Sequence, residues 1–202
     1  MRRNLRIEGP EPINNGVFYY MLTEQHRKLI GDKCGGGLVL DVGGWADPFL
    51  RADYVLDQFR YETRGICYHS LGKLPRSVTY PDPLPGERFR RETWIQHDIC
   101  QGNWPFPDKM FDYVICSHTL EDIPNPFVVC EELQRVSKAG YIEAPARVVE
   151  QTRGQDGKTG ADHHHWVVEV QGNRVLFTAN SVPRARPGCV GSPMLHPQTP
   201  VH

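Results

Sequence analysis

The sequence predicts an α/β fold with a mostly parallel sheet and an antiparallel hairpin toward its C-terminal end. Three patterns lead to this class. Several apolar runs of about four residues are too short for helices and are typical of strands covered on both faces of a parallel sheet. One run is followed by a helical pattern and then by another run, as in a βαβ unit. Two further runs, separated by a short turn that contains glycine, predict the hairpin.

The βαβ unit lies between Phe111 and Pro145. Its first strand is Tyr113 to Cys116. The pair Asn125-Pro126 predicts the start of the helix, because an N-cap residue stands before a proline at the first helical position. The apolar side chains of this helix recur on one face, at Val129, Leu133 and Val136.

The end of the same helix is predicted near Ala139. Lys138 is a cation placed where the helix dipole favours one, and Gly140 tolerates the positive φ that often ends a helix. Residues 141–144 then form the second strand, and the crossover is right-handed if both strands share a sheet.

Two strands precede the unit, with a helix before them. Apolar residues at Phe18, Leu22 and Leu29 predict an amphipathic helix that closes at Gly31 and packs against the sheet edge. Residues 38–42 form a buried strand that ends in the pair Gly43-Gly44. A strand that runs into such a pair is either an ordinary tight turn or a place where backbone approaches a nucleotide.

Only nine residues separate the glycine pair from the second strand, Tyr54–Asp57, so the first crossover is compressed. Asp57 lies at the end of this strand. It is either an acid that binds a ribose or a solvated side chain that caps the next turn. The sequence predicts a long loop over residues 58–92 and a third short strand over residues 94–97.

The hairpin is predicted over residues 166–177, at the end of the sheet. We expect one domain over residues 1–180, and a disordered tail over residues 181–202, where prolines replace the apolar alternation. If the chain ends before the strands that complete such a fold, an exposed sheet edge could support a dimer.

Composition excludes several classes of partner. The 202 residues include 23 basic and 24 acidic side chains, with a net charge of −1 and no basic stripe, so we expect neither nucleic-acid nor anionic-membrane binding. Six cysteines without a CxxC pair are typical of reduced thiols in the cytoplasm. No apolar stretch approaches the ~20 residues of a membrane span.

We interpret the run of three histidines from His163 to His165 as a surface or gate-lining cluster and not as a metal site. In a strand only alternate residues share a face, so at most two of the three could reach one metal ion, and no cysteine or carboxylate stands at ligand spacing from them.

Several of these segments together resemble the class I S-adenosylmethionine-dependent methyltransferases. They are LDVGG, the strand-ending Asp57, HDI at 97–99, WPFPDKMFDYVICSHTLEDI and ELQRVSKAGYIEAP. The resemblance spans roughly residues 36–180 and is most specific between Trp104 and Pro145. It implies a Rossmann-like fold and S-adenosylmethionine as cofactor. Trp45 stands where the first motif has its second glycine, and Glu121-Asp122 where the family often has Glu-His.

The resemblance also implies roles for individual residues. Asp41, Gly43 and Gly44 match the motif that passes against the methionine part of the cofactor, and Asp57 matches the acid that binds the ribose. Asp98 matches the acid that binds the adenine amino group, and Ile99 stacks on the ring or offers its backbone N–H. Ser117 matches the position at which the methionine end of the cofactor meets the acceptor pocket.

His118 follows directly. From its position it is either a general base that faces the acceptor or a polar group before the next helix. The resulting hypothesis is methyl transfer to a small-molecule acceptor. The alternative is a catalytically silent methyltransferase-like module that binds a nucleotide or a protein partner.

Overall fold

The computed structural model describes residues 24–65, 83–84, 86–148, 164–171 and 174–180. The predicted tail, residues 181–202, lies outside these ranges. The described helices and strands are α1 (Glu24–Cys34), β1 (Val39–Val42), β2 (Tyr54–Asp57), β3 (Trp94–Gln96), β4 (Phe111–Ser117), α2 (Pro126–Val136), β5 (Ser137–Glu143), β6 (Trp166–Gln171) and β7 (Arg174–Ala179). Each strand that the sequence predicts is present.

Five strands form one parallel sheet in the order β3-β2-β1-β4-β5. This confirms the predicted Rossmann-like α/β class. The chain order reverses between β1 and β4, and in open sheets of this kind ligands bind beside that reversal, at the carboxyl ends of the strands. The candidate site is therefore expected at the ends of β1 and β4.

Both faces of the sheet are covered. Alternate residues of β4 belong to two different buried clusters, with Val114 and Cys116 in one and Tyr113 and Ile115 in the other. The first cluster includes the predicted apolar face of α2, whose three members are fully buried: Val129, Leu133 and Val136. Burial on both sides is the reason that the strands are continuous apolar runs.

Helix α1 differs from its prediction at the end that is described. It continues to Cys34, and Gly31 lies inside it. Ile30 and Cys34 face the second buried cluster, whereas Leu29 is exposed. The buried face thus uses a different set of residues from the predicted one, and Phe18 and Leu22 lie outside the described residues.

The boundary between α2 and β5 is the clearest error of the sequence prediction. The helix ends at Val136, and Ser137 already pairs with Phe111 of β4. Hydrogen bonding to β4 is available to these residues and outweighs their helical pattern. Gly140 has no positive φ; an added Cβ would lie 2.5 Å from Cγ1 of Val114, so glycine is required by close strand packing.

The hairpin is confirmed, but its predicted place at the end of the main sheet is wrong. Strands β6 and β7 form a separate antiparallel sheet. The backbone N–H groups of His165 and Trp166 donate to the carbonyl oxygen of Glu121, at 2.6 and 3.1 Å. Val167 is buried. The hairpin is therefore seated on the turn after β4 instead of extending a strand ladder.

Among the described residues, no helix is both long enough and apolar enough to cross a membrane.

A buried ion pair joins the two ends of the long loop between β2 and β3. Arg64 donates from Nε and Nη2 to the two carboxylate oxygens of Glu87, each at 2.8 Å, and both side chains are almost fully buried. The Arg64 guanidinium also lies 3.7 Å from the ring centroid of Tyr61, and Glu87 accepts the N–H of Leu84. This pair fixes the point at which the chain returns to the sheet.

We predict that Glu87→Gln lowers the free energy of unfolding by about 3 kcal/mol or more, because it leaves a buried guanidinium without its counter-charge. Chemical denaturation measures this. The matched control is Glu62→Gln, which removes the partner of Arg91 in a pair whose side chains are about half exposed and should cost less than about 1 kcal/mol. The double variant Arg64→Met/Glu87→Gln should recover part of the loss. Equal effects of the two Glu→Gln changes would contradict the assignment.

Candidate active site

Asp57 and Asp98 lie at the same edge of the sheet, at the ends of neighbouring strands. Asp57 pairs with Gln96 in the β2–β3 ladder, and its carbonyl accepts the N–H of His97 at 2.9 Å. Asp98 follows one residue later. The parallel ladder thus brings together the two acids to which the resemblance assigns the ribose and the adenine.

The carboxylate of Asp57 is already held by the backbone. Its Oδ2 accepts the N–H of Trp45 at 3.0 Å and its Oδ1 accepts the N–H of Phe59 at 2.9 Å. Burial raises the pKa of Asp57 to about 6, although these N–H groups oppose the shift. A carboxylate has about four lone-pair directions, so it can still accept from a ribose hydroxyl.

Asp98 is exposed and starts a short 3₁₀ helix, Ile99–Gln101, by accepting the N–H of Cys100 at 2.9 Å. Its Oδ2 accepts the side-chain N–H of Gln101 at 3.2 Å. The side chain of Ile99 is buried in the core cluster beside Trp104. Of its two expected roles, stacking on an adenine ring and offering a backbone N–H, only the second leaves the observed packing unchanged.

The glycine pair after β1 is closely packed by the chain itself. Gly43 has φ of +75°, and an added Cβ would lie 2.5 Å from Cγ2 of Thr119. An added Cβ on Gly44 would lie 2.6 Å from Cγ of Asp41. Glycine is therefore needed at both positions, and Thr119 occupies the space against the first one.

Asp41 supports the compressed crossover. Its buried carboxylate accepts the N–H of Phe49 at 2.8 Å, and burial raises its pKa to about 7. Trp45, which replaces a family glycine, donates its indole N–H to Thr63, and its ring lies 4.3 Å from that of Phe59. The compressed first crossover is thus held by hydrogen bonds of side chains and by one aromatic pair.

His118 lies at the opposite side of the chain reversal, directly after Ser117, the last residue of β4. It adopts φ of +49°, which is uncommon for a residue with a side chain. Its backbone N–H donates to the carbonyl of Glu143 at 2.9 Å, and Ser117 pairs with Glu143 in the ladder. The two predicted residues at the acceptor end are therefore placed by the β4–β5 pairing.

The imidazole of His118 lies between two carboxylates. Its Nδ1 is 3.4 Å from Oε1 of Glu121, and its Nε2 is 3.6 Å from Oε1 of Glu143. These distances are at or beyond the limit of a hydrogen bond, so the attraction is mainly between charges. Burial alone would lower the pKa of His118, but the two carboxylates outweigh it and raise the pKa to about 9. The pKa of Glu143 is lowered in turn, against its burial, by His118.

Sequence reasoning missed most of this cluster. Glu143 also binds Nδ1 of His26 at 3.1 Å and accepts the phenol O–H of Tyr141 at 3.0 Å. Glu143 ends a predicted strand, as Asp57 does, and that position was the available signal. Nothing local marks His26, because its partner is 117 positions away. Glu121 was noticed only as a departure from the family pattern.

The histidine run behaves differently from its prediction in one respect. Nε2 of His164 lies 3.3 Å from Oδ1 of Asp122, so a carboxylate does stand beside it. His163 lies outside the described residues. Within the described part of the chain, no group of three or more histidine, cysteine or acidic side chains could hold a metal ion.

We predict that Asp41→Asn flattens the pH dependence of stability. Because the folded chain holds a proton on Asp41 up to about pH 7, while the unfolded side chain releases it near pH 4, this group loses at most about 4 kcal/mol of stability as pH rises between those values. Thermal unfolding at pH 5 and pH 8 should show a smaller difference in the variant than in the natural chain. Asp112→Asn, whose exposed carboxyl has a lowered pKa through Lys138, should keep the natural difference. An unchanged slope in Asp41→Asn would contradict the assignment.

One of the comparisons with known proteins found a match. Residues 77–142, about a third of the chain, match the family model described as methyltransferase domain. The matched segment includes Asp98, Ile99, Ser117 and His118 but not the glycine pair or Asp57. No curated protein and no solved structure matches the chain. The match indicates a methyltransferase-like domain over residues 77–142, and the five-stranded parallel sheet is the fold class expected for such a domain.

Proposed function

We propose that this chain binds S-adenosylmethionine along the carboxyl ends of β1 to β4 and transfers its methyl group to a small-molecule acceptor near the end of β4. The observation that carries the proposal is the placement of Asp57 and Asp98 at the ends of the adjacent parallel strands β2 and β3, on the same edge of the sheet as the reversal of strand order between β1 and β4. Domains of this family generally bind S-adenosylmethionine.

The residues fit the nucleoside part of the cofactor better than its methionine part. Asp57 would accept from the ribose hydroxyls, and Asp98, which is exposed, would accept from the adenine amino group through a charge-assisted hydrogen bond. At the methionine end, the space against Gly43 is taken by Thr119. Binding would therefore require the turn that carries Thr119 to move away from β1.

The cofactor supplies a sulfonium that is already activated for transfer, so the protein's main contribution is to position the acceptor and exclude water. His118 is placed for this end of the site but holds a proton at neutral pH, given a pKa of about 9. A protonated ring cannot take a proton from an acceptor. Its role at neutral pH is that of a positive charge, and a general-base role would be restricted to alkaline conditions.

A catalytically silent module is the second candidate, and a specific observation favours it. Thr119 packs against Gly43, and both oxygens of Asp57 already accept backbone N–H groups. When the polar groups of a site already have hydrogen-bond partners within the protein, a ligand gains less free energy by binding them. The two candidates differ in methyl transfer, and a module that binds only a protein partner also differs in its affinity for S-adenosylmethionine.

Isothermal titration calorimetry with S-adenosylmethionine and S-adenosylhomocysteine tests the proposal. We predict heat of binding for both, and that Asp98→Ala weakens binding about 10- to 100-fold, as expected for one charge-assisted hydrogen bond. Asp32→Ala is the control, since this exposed residue pairs with Lys28 on α1. Asp57→Ala is a poorer probe, because it also strands two backbone N–H groups.

The outcomes separate the two candidates. Absence of heat, together with no rise in melting temperature at millimolar cofactor, would favour the silent module; a ligand at 100 times its Kd should add about 2.7 kcal/mol. Normal binding by Asp98→Ala would remove this residue from the site.

A further inference from the structure

Glu121 is the most deeply buried acid of the acceptor end, with 1% of its surface exposed. Within the described residues, neither of its carboxylate oxygens has a hydrogen-bond donor, and its nearest counter-charge is the ring of His118. A buried carboxylate without donors is costly unless a nearby cation compensates it. Glu121 and His118 therefore depend on each other for charge.

The position of Glu121 is set by the backbone. Its carbonyl accepts two N–H groups from the start of β6, so the hairpin holds this residue on the turn. On the other side, His118 is held by its own N–H to the carbonyl of Glu143. These contacts hold His118 in its left-handed backbone conformation. Strained conformations that are held in this way are common at functional sites.

Among the described residues, the carboxylates that face the ring come from two elements. Glu121 lies on the turn after β4, and Glu143 lies at the end of β5 together with Tyr141. His26 of α1 binds Glu143. The two carboxylates approach opposite nitrogens of the same imidazole.

We propose that Glu121 is a positioning residue, whose carboxylate holds the imidazole of His118 against Glu143 and keeps both ring nitrogens protonated. If the proposed function holds, the ring of His118 between the two carboxylates presents a fixed positive charge at the acceptor end; this part of the proposal rests on the proposed function. Glu121 itself touches neither cofactor nor acceptor in this proposal, since only 1% of its surface is exposed.

The test is an NMR titration of the ligand-free chain, in which the His118 ring signals are assigned by their loss in His118→Gln. We expect His118 to titrate well above 6.5, and Glu121→Gln to lower its midpoint by at least about one pH unit, a tenfold loss of proton affinity. Glu121→Asp, which keeps the charge on a shorter side chain, should give an intermediate value. A purely structural role of Glu121 would change the melting temperature without moving this midpoint.

The matched control is Asp122→Asn, one residue along the chain, whose carboxylate faces His164. It should move the His118 midpoint by less than half as much as Glu121→Gln. Equal shifts in the two variants, or no shift in Glu121→Gln, would overturn the proposal. If Glu121→Gln does not fold, a natural-chain midpoint below 6.5 overturns it. The experiment contains no cofactor, so its result does not depend on whether the chain binds S-adenosylmethionine.

Discussion

The parallel pairing of β4 with β1 on one side and β5 on the other determines where the polar groups of the site lie. In such a ladder all strands end at one edge, so Ser117 comes to lie opposite Glu143 and the following His118 meets both glutamates. A shift of one residue would turn each side chain to the other face. Gly140 helps to keep the strands in place, since a larger residue would collide with Val114.

Burial of acidic groups is the main electrostatic strain of this edge. Asp41 and Asp57 are relieved by backbone N–H groups, and desolvation still raises both pKa values. Glu143 is relieved by two side-chain donors and by His118. Among the described residues, Glu121 is relieved only by the charge of His118. Proteins retain such local conflicts mostly at functional sites, which is why the acceptor end is the part of this fold that stability alone does not explain.

The elements that could be predicted from the sequence are those that depend on local pattern. Strands buried on both faces are apolar runs whatever their neighbours, and the acids at strand ends, Asp57 and Asp98, follow from the strands. The end of α2 and the place of the hairpin could not be predicted, because each depends on a distant partner: Phe111 for Ser137, and Glu121 for Trp166. The cluster around His118 escaped for the same reason, with His26 and Glu143 far apart in the chain.

One short turn links the three functional parts of the site. Residues 118–122 carry the clamped imidazole, the Thr119 side chain that packs on Gly43, and the Glu121 carbonyl that seats the hairpin. Thr119 also donates to the carbonyl of Ser117 at 3.0 Å, which ties its side chain to the end of β4. If cofactor displaces Thr119 from β1, the same turn must carry His118 and the hairpin anchor with it. The contacts of residues 118–122 with Gly43, with the hairpin and with Glu143 therefore depend on the position of a single turn.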